Sequence, residues 1–260
     1  MRFASYNIHR AIGRDGRKDS ARISAVIGEL QADVIGLQEV DWHHDRDDEA
    51  SQFEHLAHLP GYLAFAGPNL RDHRGHYGNL LLTRLPMGRS RRVDLSEPNR
   101  EPRGAIDVDL DAGGACLRLI VTHFGLGTRE RRRQAARLAD AVRHRSQPTL
   151  LLGDFNEWIP GSPTLHPLLK LCAATAVPST FPSRGPFLAL DRILACGFPP
   201  PPVRTHVSPL ARLASDHLPV VCEFEASAIT DIGSCWPTAA PHPETATAGV
   251  GSGWPRFMRA

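Results

Sequence analysis

Short apolar runs punctuate this chain, and most of them stop beside an amide, a carboxylate or an imidazole. Asn7 follows Phe3-Ala4-Ser5-Tyr6, Glu39 comes just after Val34-Ile35-Gly36-Leu37, and His123 follows Leu119-Ile120-Val121-Thr122. Asp154 and Asn156 come after Thr149–Leu152, Asp191 after Phe187–Leu190, and Asp216-His217 just before Leu218–Phe224. Short apolar runs bounded by turn formers read as buried strands. So many buried strands ending on reactive groups constrain the fold, because layered strands gather their ends at one edge. A rigid strand also holds its terminal side chain in place better than a loop can.

The remaining pattern supplies the other layers. Ile23, Val26, Ile27 and Leu30 share one helical face, which predicts an amphipathic helix over 20–30. Phe53, Leu56 and Leu59 mark a short helix stopped by Pro60-Gly61. A longer helix is expected over 128–145, with seven arginines against Glu130 and Asp140. Strands are expected near 63–66, 79–83 and 188–194. The segments 105–110 and 116–122 flank Asp111-Ala112-Gly113-Gly114, a hairpin signal. Strands outnumber helices and short turns join most neighbours, which favours an α/β sandwich of two packed sheets over a doubly wound parallel sheet. With 260 residues, 42% of them hydrophobic, the chain can bury a sizeable core. From about Ser227 it turns rich in Ala, Thr, Pro and Gly without periodicity. The expected organisation is therefore a catalytic domain over 1–226 and a flexible tail over 227–260.

A net charge of +2 neither demands a polyanionic partner nor excludes one. Of the 30 basic residues 28 are arginine, a side chain that grips phosphate bidentately, although base composition of the genome explains such a skew equally well. Five cysteines without a C-x-x-C pair suggest neither a disulfide framework nor a structural zinc site. Together with a start that carries no apolar leader, this gives a cytoplasmic protein as the expectation. His43-His44-Asp45 with Asp47-Asp48-Glu49 reads as a solvated loop before a metal cluster, and the arginines of 128–145 as a solvated face before a nucleic-acid contact.

The residues at the strand ends suit phosphate-ester hydrolysis. Hard cations such as Mg²⁺ or Mn²⁺ take oxygen ligands, often one or two carboxylates with waters retained. Glu39 is the first choice for such a ligand, with Asn7 touching the metal or holding one of its waters. Asp154 is placed to activate or orient the attacking water, and Asn156 to donate to the developing charge. His217, if Asp191 orients its other ring nitrogen, forms a pair suited to proton transfer or phosphate stabilisation. Each residue alone has an ordinary structural reading, and only the ordered set points to this chemistry.

In order, Tyr6-Asn7-Ile8, Leu37-Gln38-Glu39-Val40, Tyr77-Gly78-Asn79, Arg103-Gly104, Thr122-His123-Phe124, Gly153-Asp154-Phe155-Asn156, Leu190-Asp191-Arg192-Ile193 and Ser215-Asp216-His217-Leu218-Pro219-Val220 resemble the endonuclease/exonuclease/phosphatase (DNase I-like) superfamily. The opening Asn7-Ile8-His9-Arg10 is similar to that of a small bacterial subgroup. The resemblance implies a four-layer α-β-β-α sandwich with its site at one end of the two sheets, and the metal and catalytic roles just given. It adds Asp216 as a further metal-site carboxylate and His123 as a phosphate contact or general acid. Tyr77 and Arg103 would lie near the scissile phosphate. The expected substrate is a phosphodiester, either nucleic acid or a lipid head group or small molecule, cleaved by a monomer without an obligate protein partner. A phosphomonoesterase and a non-catalytic binding module on the same fold are the alternatives.

Overall fold

Strand alternation sorts the apolar side chains onto three separate faces. The computed structural model describes residues 1–43, 52–72, 75–144 and 147–229. In chain order its strands are β1 (Arg2–Asn7), β2 (Val34–His43), β3 (Leu63–Asp72), β4 (Gly75–Thr83), β5 (Met87–Asp94), β6 (Gly104–Asp111), β7 (Cys116–His123), β8 (Thr149–Asp154), β9 (Cys172–Ala173), β10 (Asp191–Cys196), β11 (Val203–Thr205) and β12 (Val220–Glu223). The helices are α1 (Ser20–Leu30), α2 (Gln52–Ala57), α3 (Thr128–Arg143), α4 (His166–Leu169) and α5 (Pro209–Ala214). Two six-stranded sheets result, ordered β11-β12-β1-β2-β4-β3 and β5-β6-β7-β8-β10-β9.

Phe3, Val34, Leu81 and Val220 of the first sheet meet Ile106, Leu119, Val121, Leu152 and Ile193 of the second to form the inner core. Their sequence neighbours point outward, as period-two strands require. Ala4, Tyr6, Ile35, Leu37, Leu80 and Leu82 pack under Ile23, Val26, Ile27 and Leu30 of α1 and Ala211 and Ala214 of α5. On the far side, Ile120, Leu151 and Leu194 lie under Ala135, Leu138, Ala139 and Val142 of α3 and Leu168 of α4. Each fully buried aliphatic side chain contributes about 1.5–3 kcal/mol of transfer free energy. The order of layers is therefore helix, sheet, sheet, helix.

One parallel pair sits inside each otherwise antiparallel sheet. β1 runs parallel to β2 and β7 to β8, with His123 opposite Asp154 in register. β10 runs against β8 and begins where β8 ends, pairing Asp191 with Asp154. β12 runs against β1, with Val220 opposite Ser5. Two parallel starts and two antiparallel returns thus place all these strand ends at one edge.

Several elements depart from the sequence expectation. β2, β3 and β4 are longer than their apolar runs, and β3 and β4 pair along their whole length. The strand expected at 188–194 starts only at Asp191. β5, an edge strand with mostly exposed or half-buried side chains, has no apolar run to announce it. α5 is also unannounced; Ser208 caps it, accepting from the Ala211 N–H, and Pro209 opens it. The cysteine reading needs correcting. Cys172 and Cys196 face each other across β9 and β10 and form a disulfide, and Cys116 is disulfide-bonded too. A separation of 24 residues hides a pair that only the antiparallel register brings together. Disulfides are rare in reducing compartments, so the cysteines no longer support a cytoplasmic setting. Among the described residues no helix is long and apolar enough to cross a membrane. Residues 230–260 of the expected tail and His44 to Glu49 of the acidic loop lie outside the described residues, whereas Ile229 is buried against the inner core.

Gly153 shows how tightly the site's strand is held. Its φ of 154° is outside the range that side chains favour, and a Cβ there would overlap the Thr122 carbonyl oxygen of the neighbouring strand. Gly153→Ala is expected to destabilise the fold by at least about 2 kcal/mol, read as a lower urea midpoint at unchanged slope. An unshifted midpoint would mean that the β7–β8 contact can relax.

Candidate active site

A β-bulge begins the site. The pairing of β2 with β4 slips between Leu37 and Val40, and Glu39 there adopts φ 60°. An unbulged strand would alternate Gln38 and Glu39 across the sheet. Instead Gln38 stays buried, accepting from Ser5 Oγ, while Glu39 turns into the pocket. Non-glycine residues in this backbone region carry on the order of 1–3 kcal/mol of strain, held by the surrounding structure.

Asn7, at the end of β1, is 1% exposed and spends its whole amide on neighbours. Its Nδ2 donates to Glu39 Oε1 at 3.1 Å and, across the sandwich, to Asp154 Oδ2 at 3.0 Å. Its Oδ1 accepts from the His9 backbone N–H at 3.0 Å. That bond opens a left-handed turn in which His9, Arg10 and Ala11 all have positive φ. Arg10 is thereby laid over the Tyr77 ring, 4.8 Å from its centroid.

The second sheet supplies the ionisable groups. Asp154, ending β8, is 1% exposed, and its Oδ1 accepts from the Asn156 backbone N–H at 2.8 Å. Burial pushes the Asp154 carboxyl up to about 6, against the pull of His217. Asn156 has φ 49°, and its Nδ2 bridges to the Phe124 carbonyl at 2.9 Å and to His123 Nε2 at 3.2 Å. Burial holds His123 well below the ordinary histidine value, with Arg103 and His217 adding to the shift, so its ring is neutral. Its Nε2 lies 3.6 Å from Asp154 Oδ2.

His217 behaves oppositely. Burial alone would strip its proton, yet Asp191, Asp154 and Asp216 outweigh that and raise it to about 10. The ring pairs with Asp191 through Nδ1 at 2.8 Å, and its Nε2 stands 3.8 Å from Asp154 Oδ2. Thr180 Oγ donates to the same Asp191 oxygen at 2.5 Å. Ser215 Oγ donates to the Asn7 carbonyl at 2.8 Å and accepts from the His217 N–H, tying the β1 end to the histidine turn.

The predicted residues come together with one outlier. Glu39, Tyr77, Arg103, His123, Asp154, Asn156 and His217 line a pocket of about 390 Å³. Asn7 and Asp191 stand behind it, bonded to its walls. Asp216 does not line it and faces His9 instead, Oδ1 to Nδ1 at 3.7 Å. Arg103 reaches the pocket already clamped by Glu101, Nη1 to Oε1 at 2.9 Å. Asn79 fixes that corner by donating across the sheets to the Gly104 carbonyl at 3.1 Å.

Sequence reading missed Arg10, Trp158 and Phe181 on the walls and the supports Thr180 and Ser215. Ser215 stood inside a recognised motif and had a signal. Thr180 and Phe181 lie in a loop with no periodicity and had none.

The oxygen donors suit a hard divalent cation. Glu39 Oε1 is occupied by Asn7, while Oε2 has no hydrogen bond among the described residues and belongs to a pocket wall. Asp154, Asp191 and His217 also bring ligand-type atoms within 4.8 Å of one another. Without a cation there, the raised His217 ring supplies the positive charge of that trio, and Glu39 offers a second carboxylate to the pocket.

The sequence model of the endonuclease/exonuclease/phosphatase family matches residues 4–217. The uncharacterized protein YbhP of Escherichia coli K12 is 28% identical over 243 residues, covering 84% of this chain and 93% of its own. Exodeoxyribonuclease III of Haemophilus influenzae is 30% identical over 169 residues, 60% of this chain and 57% of its own. The crystal structure of an endonuclease/exonuclease/phosphatase from Beutenbergia cavernae superposes with a TM-score of 0.64 at 26% identity, covering 85% of this chain and 70% of that one. With the strand-end residues gathered on a two-sheet sandwich, the chain belongs to the endonuclease/exonuclease/phosphatase family.

Proposed function

We propose that this chain hydrolyses a phosphodiester by direct attack of water, with Mg²⁺ or Mn²⁺ held at Glu39. The observation that carries the reading is the opposition of a carboxylate and an imidazolium, Asp154 and His217, 3.8 Å apart on one wall of the pocket. A carboxylate raised to about 6 is ionised at neutral pH yet basic enough to accept a proton from water. An imidazolium raised to about 10 keeps its charge there and donates to a phosphoryl oxygen.

The bond changes balance without a covalent enzyme intermediate. The water oxygen forms the new P–O bond as its proton passes to Asp154, one ester P–O bond breaks, and the departing oxygen takes a proton from solvent. A divalent ion at Glu39 supplies positive charge to the phosphoryl and departing oxygens when bound. Asn7 keeps Glu39 and Asp154 in register. Asn156 is anchored to the Phe124 carbonyl through Nδ2 and donates to the phosphoryl group by exchanging its His123 bond for one to the substrate. Asp191 fixes the ring orientation of His217. Tyr77 and Arg103, also lining the pocket, take the substrate's remaining phosphate oxygen. The relatives fit this reading, since one carries the name of a nuclease.

Four outcomes test it. Hydrolysis of bis-p-nitrophenyl phosphate should require Mg²⁺ or Mn²⁺. Glu39→Gln should lose both the activity and the heat of Mn²⁺ binding in calorimetry, and a variant that keeps the heat would move the metal elsewhere. Asp154→Asn should lower kcat/KM by about 10³-fold or more while the fold stays intact. Wild-type rate should rise with pH through about 6, as Asp154 ionises, and fall through about 10, as His217 loses its proton. A profile flat from 5 to 8 would refute the assignment of Asp154 as base. Stability follows its own sign. The raised His217 value contributes stability that is complete below its unfolded value of about 6.5 and vanishes as pH rises through about 10. Asp154, also raised, costs stability that accumulates as pH rises from its unfolded value of about 3.8 to about 6 and is complete above that.

A further inference from the structure

The pocket has an apolar lip. Nine large hydrophobic residues are exposed among the described residues; Leu126 (67%) and Trp158 (46%) line this pocket, and Ile159 (61%) and Phe187 (71%) adjoin its wall residues. Ile159 follows Trp158 in the chain. Phe187 is tied to the wall by its N–H, which donates to the Phe181 carbonyl at 3.0 Å. The Phe181 ring lies between Trp158, 6.4 Å away, and His217, 5.0 Å away, so the lip runs unbroken into the proposed chemistry. Arginines flank two of the tips. Arg129 stands three residues after Leu126 and Arg184 three before Phe187; both are exposed, and neither has an ion pair among the described residues.

We propose that this lip is a membrane-contact surface, and that the phosphodiester cleaved here belongs to the head group of a phospholipid. The proposal rests on the phosphodiesterase reading. The occupant must cover an apolar rim and deliver a phosphodiester into the pocket behind it. A phospholipid at a bilayer surface does both, with its apolar portion against the lip and its charged head group in the pocket. Apolar tips beside unpaired arginines are the pattern of proteins that lie on an anionic interface without spanning it. A nucleic acid matches the lip less well. Its bases would stack on Trp158 or Phe187, but the aliphatic tips Leu126 and Ile159 offer no stacking face.

The test uses the full chain and vesicles of equal parts phosphatidylglycerol and phosphatidylethanolamine. Ile159→Ser with Phe187→Ser changes two tips that lie outside the pocket lining. Wild type should co-sediment with the vesicles and release phosphorylated or alcohol head-group product from them. The double variant should bind at least tenfold less, with unchanged kcat/KM on bis-p-nitrophenyl phosphate. Wild type that hydrolyses the soluble diester but ignores vesicles overturns the lip proposal and leaves the phosphodiesterase reading standing. Vesicle binding without hydrolysis of any diester overturns the phosphodiesterase reading instead, and with it the phospholipid as substrate. Equal vesicle binding by wild type and variant, or a parallel loss of single-stranded DNA binding in the variant, overturns the lip as a membrane surface.

Discussion

One amide holds the two halves of this molecule in functional register. Asn7 ends the central strand of the first sheet, and its Nδ2 reaches both Glu39 in its own sheet and Asp154 at the end of a central strand in the other. Both bonds are charge-assisted if the carboxylates are ionised, and Asn7 and Asp154 are almost wholly buried, so water competes little for the bridge. Leaving either partner unsatisfied at such a site costs about 1–3 kcal/mol or more. The bridge is only reachable because the sheets approach closely at their centres. Gly36 in β2 has no Cβ, and one built there would strike Leu152 and Val121 of the facing sheet. Fold and site thus share one constraint: sheet separation sets the reach of Asn7.

Around that bridge the electrostatics divide the work between two histidines. Both rings are buried, and burial acts on both in the same direction. His123 meets Arg103 and His217 and stays neutral. His217 is surrounded by Asp191, Asp154 and Asp216, whose combined field outweighs desolvation. Neither role could be assigned from residue type, since the two imidazoles differ only in neighbours. Arg103 comes to the pocket with its guanidinium already engaged by Glu101, and Asp216 faces His9, itself a wall residue, and adds to the field that keeps His217 charged.

How much of this was legible beforehand follows from what a linear pattern can encode. α1 was readable to its last residue because Ile23, Val26, Ile27 and Leu30 bury one face; the Asp19 cap, accepting from the Arg22 N–H, emerged only with the structure. The hairpin of β6 and β7 was equally plain, with the strand-like segments 105–110 and 116–122 either side of Asp111-Ala112-Gly113-Gly114. β5 was invisible, since an exposed edge strand needs no apolar run. Strand-end residues were legible as a set because their polarity interrupts buried strands. What bonds to them was not: Thr180 meets Asp191 and Cys172 meets Cys196 only through pairings set by the fold. The positive φ of Glu39 was equally hidden, being a property of the bulge rather than of the residue.

The central claim is that the site works as one unit spanning both sheets, and a double-mutant cycle between Asn7 and Asp154 measures it most directly. Asn7→Ala, Asp154→Ala and the double variant would be compared by kcat/KM for metal-supported hydrolysis of bis-p-nitrophenyl phosphate. Residues that act as one unit are strongly non-additive. The account predicts a double variant scarcely slower than Asp154→Ala alone. Losses that simply multiply would show that Asn7 and Asp154 act independently, and would contradict the bridge as the basis of the site.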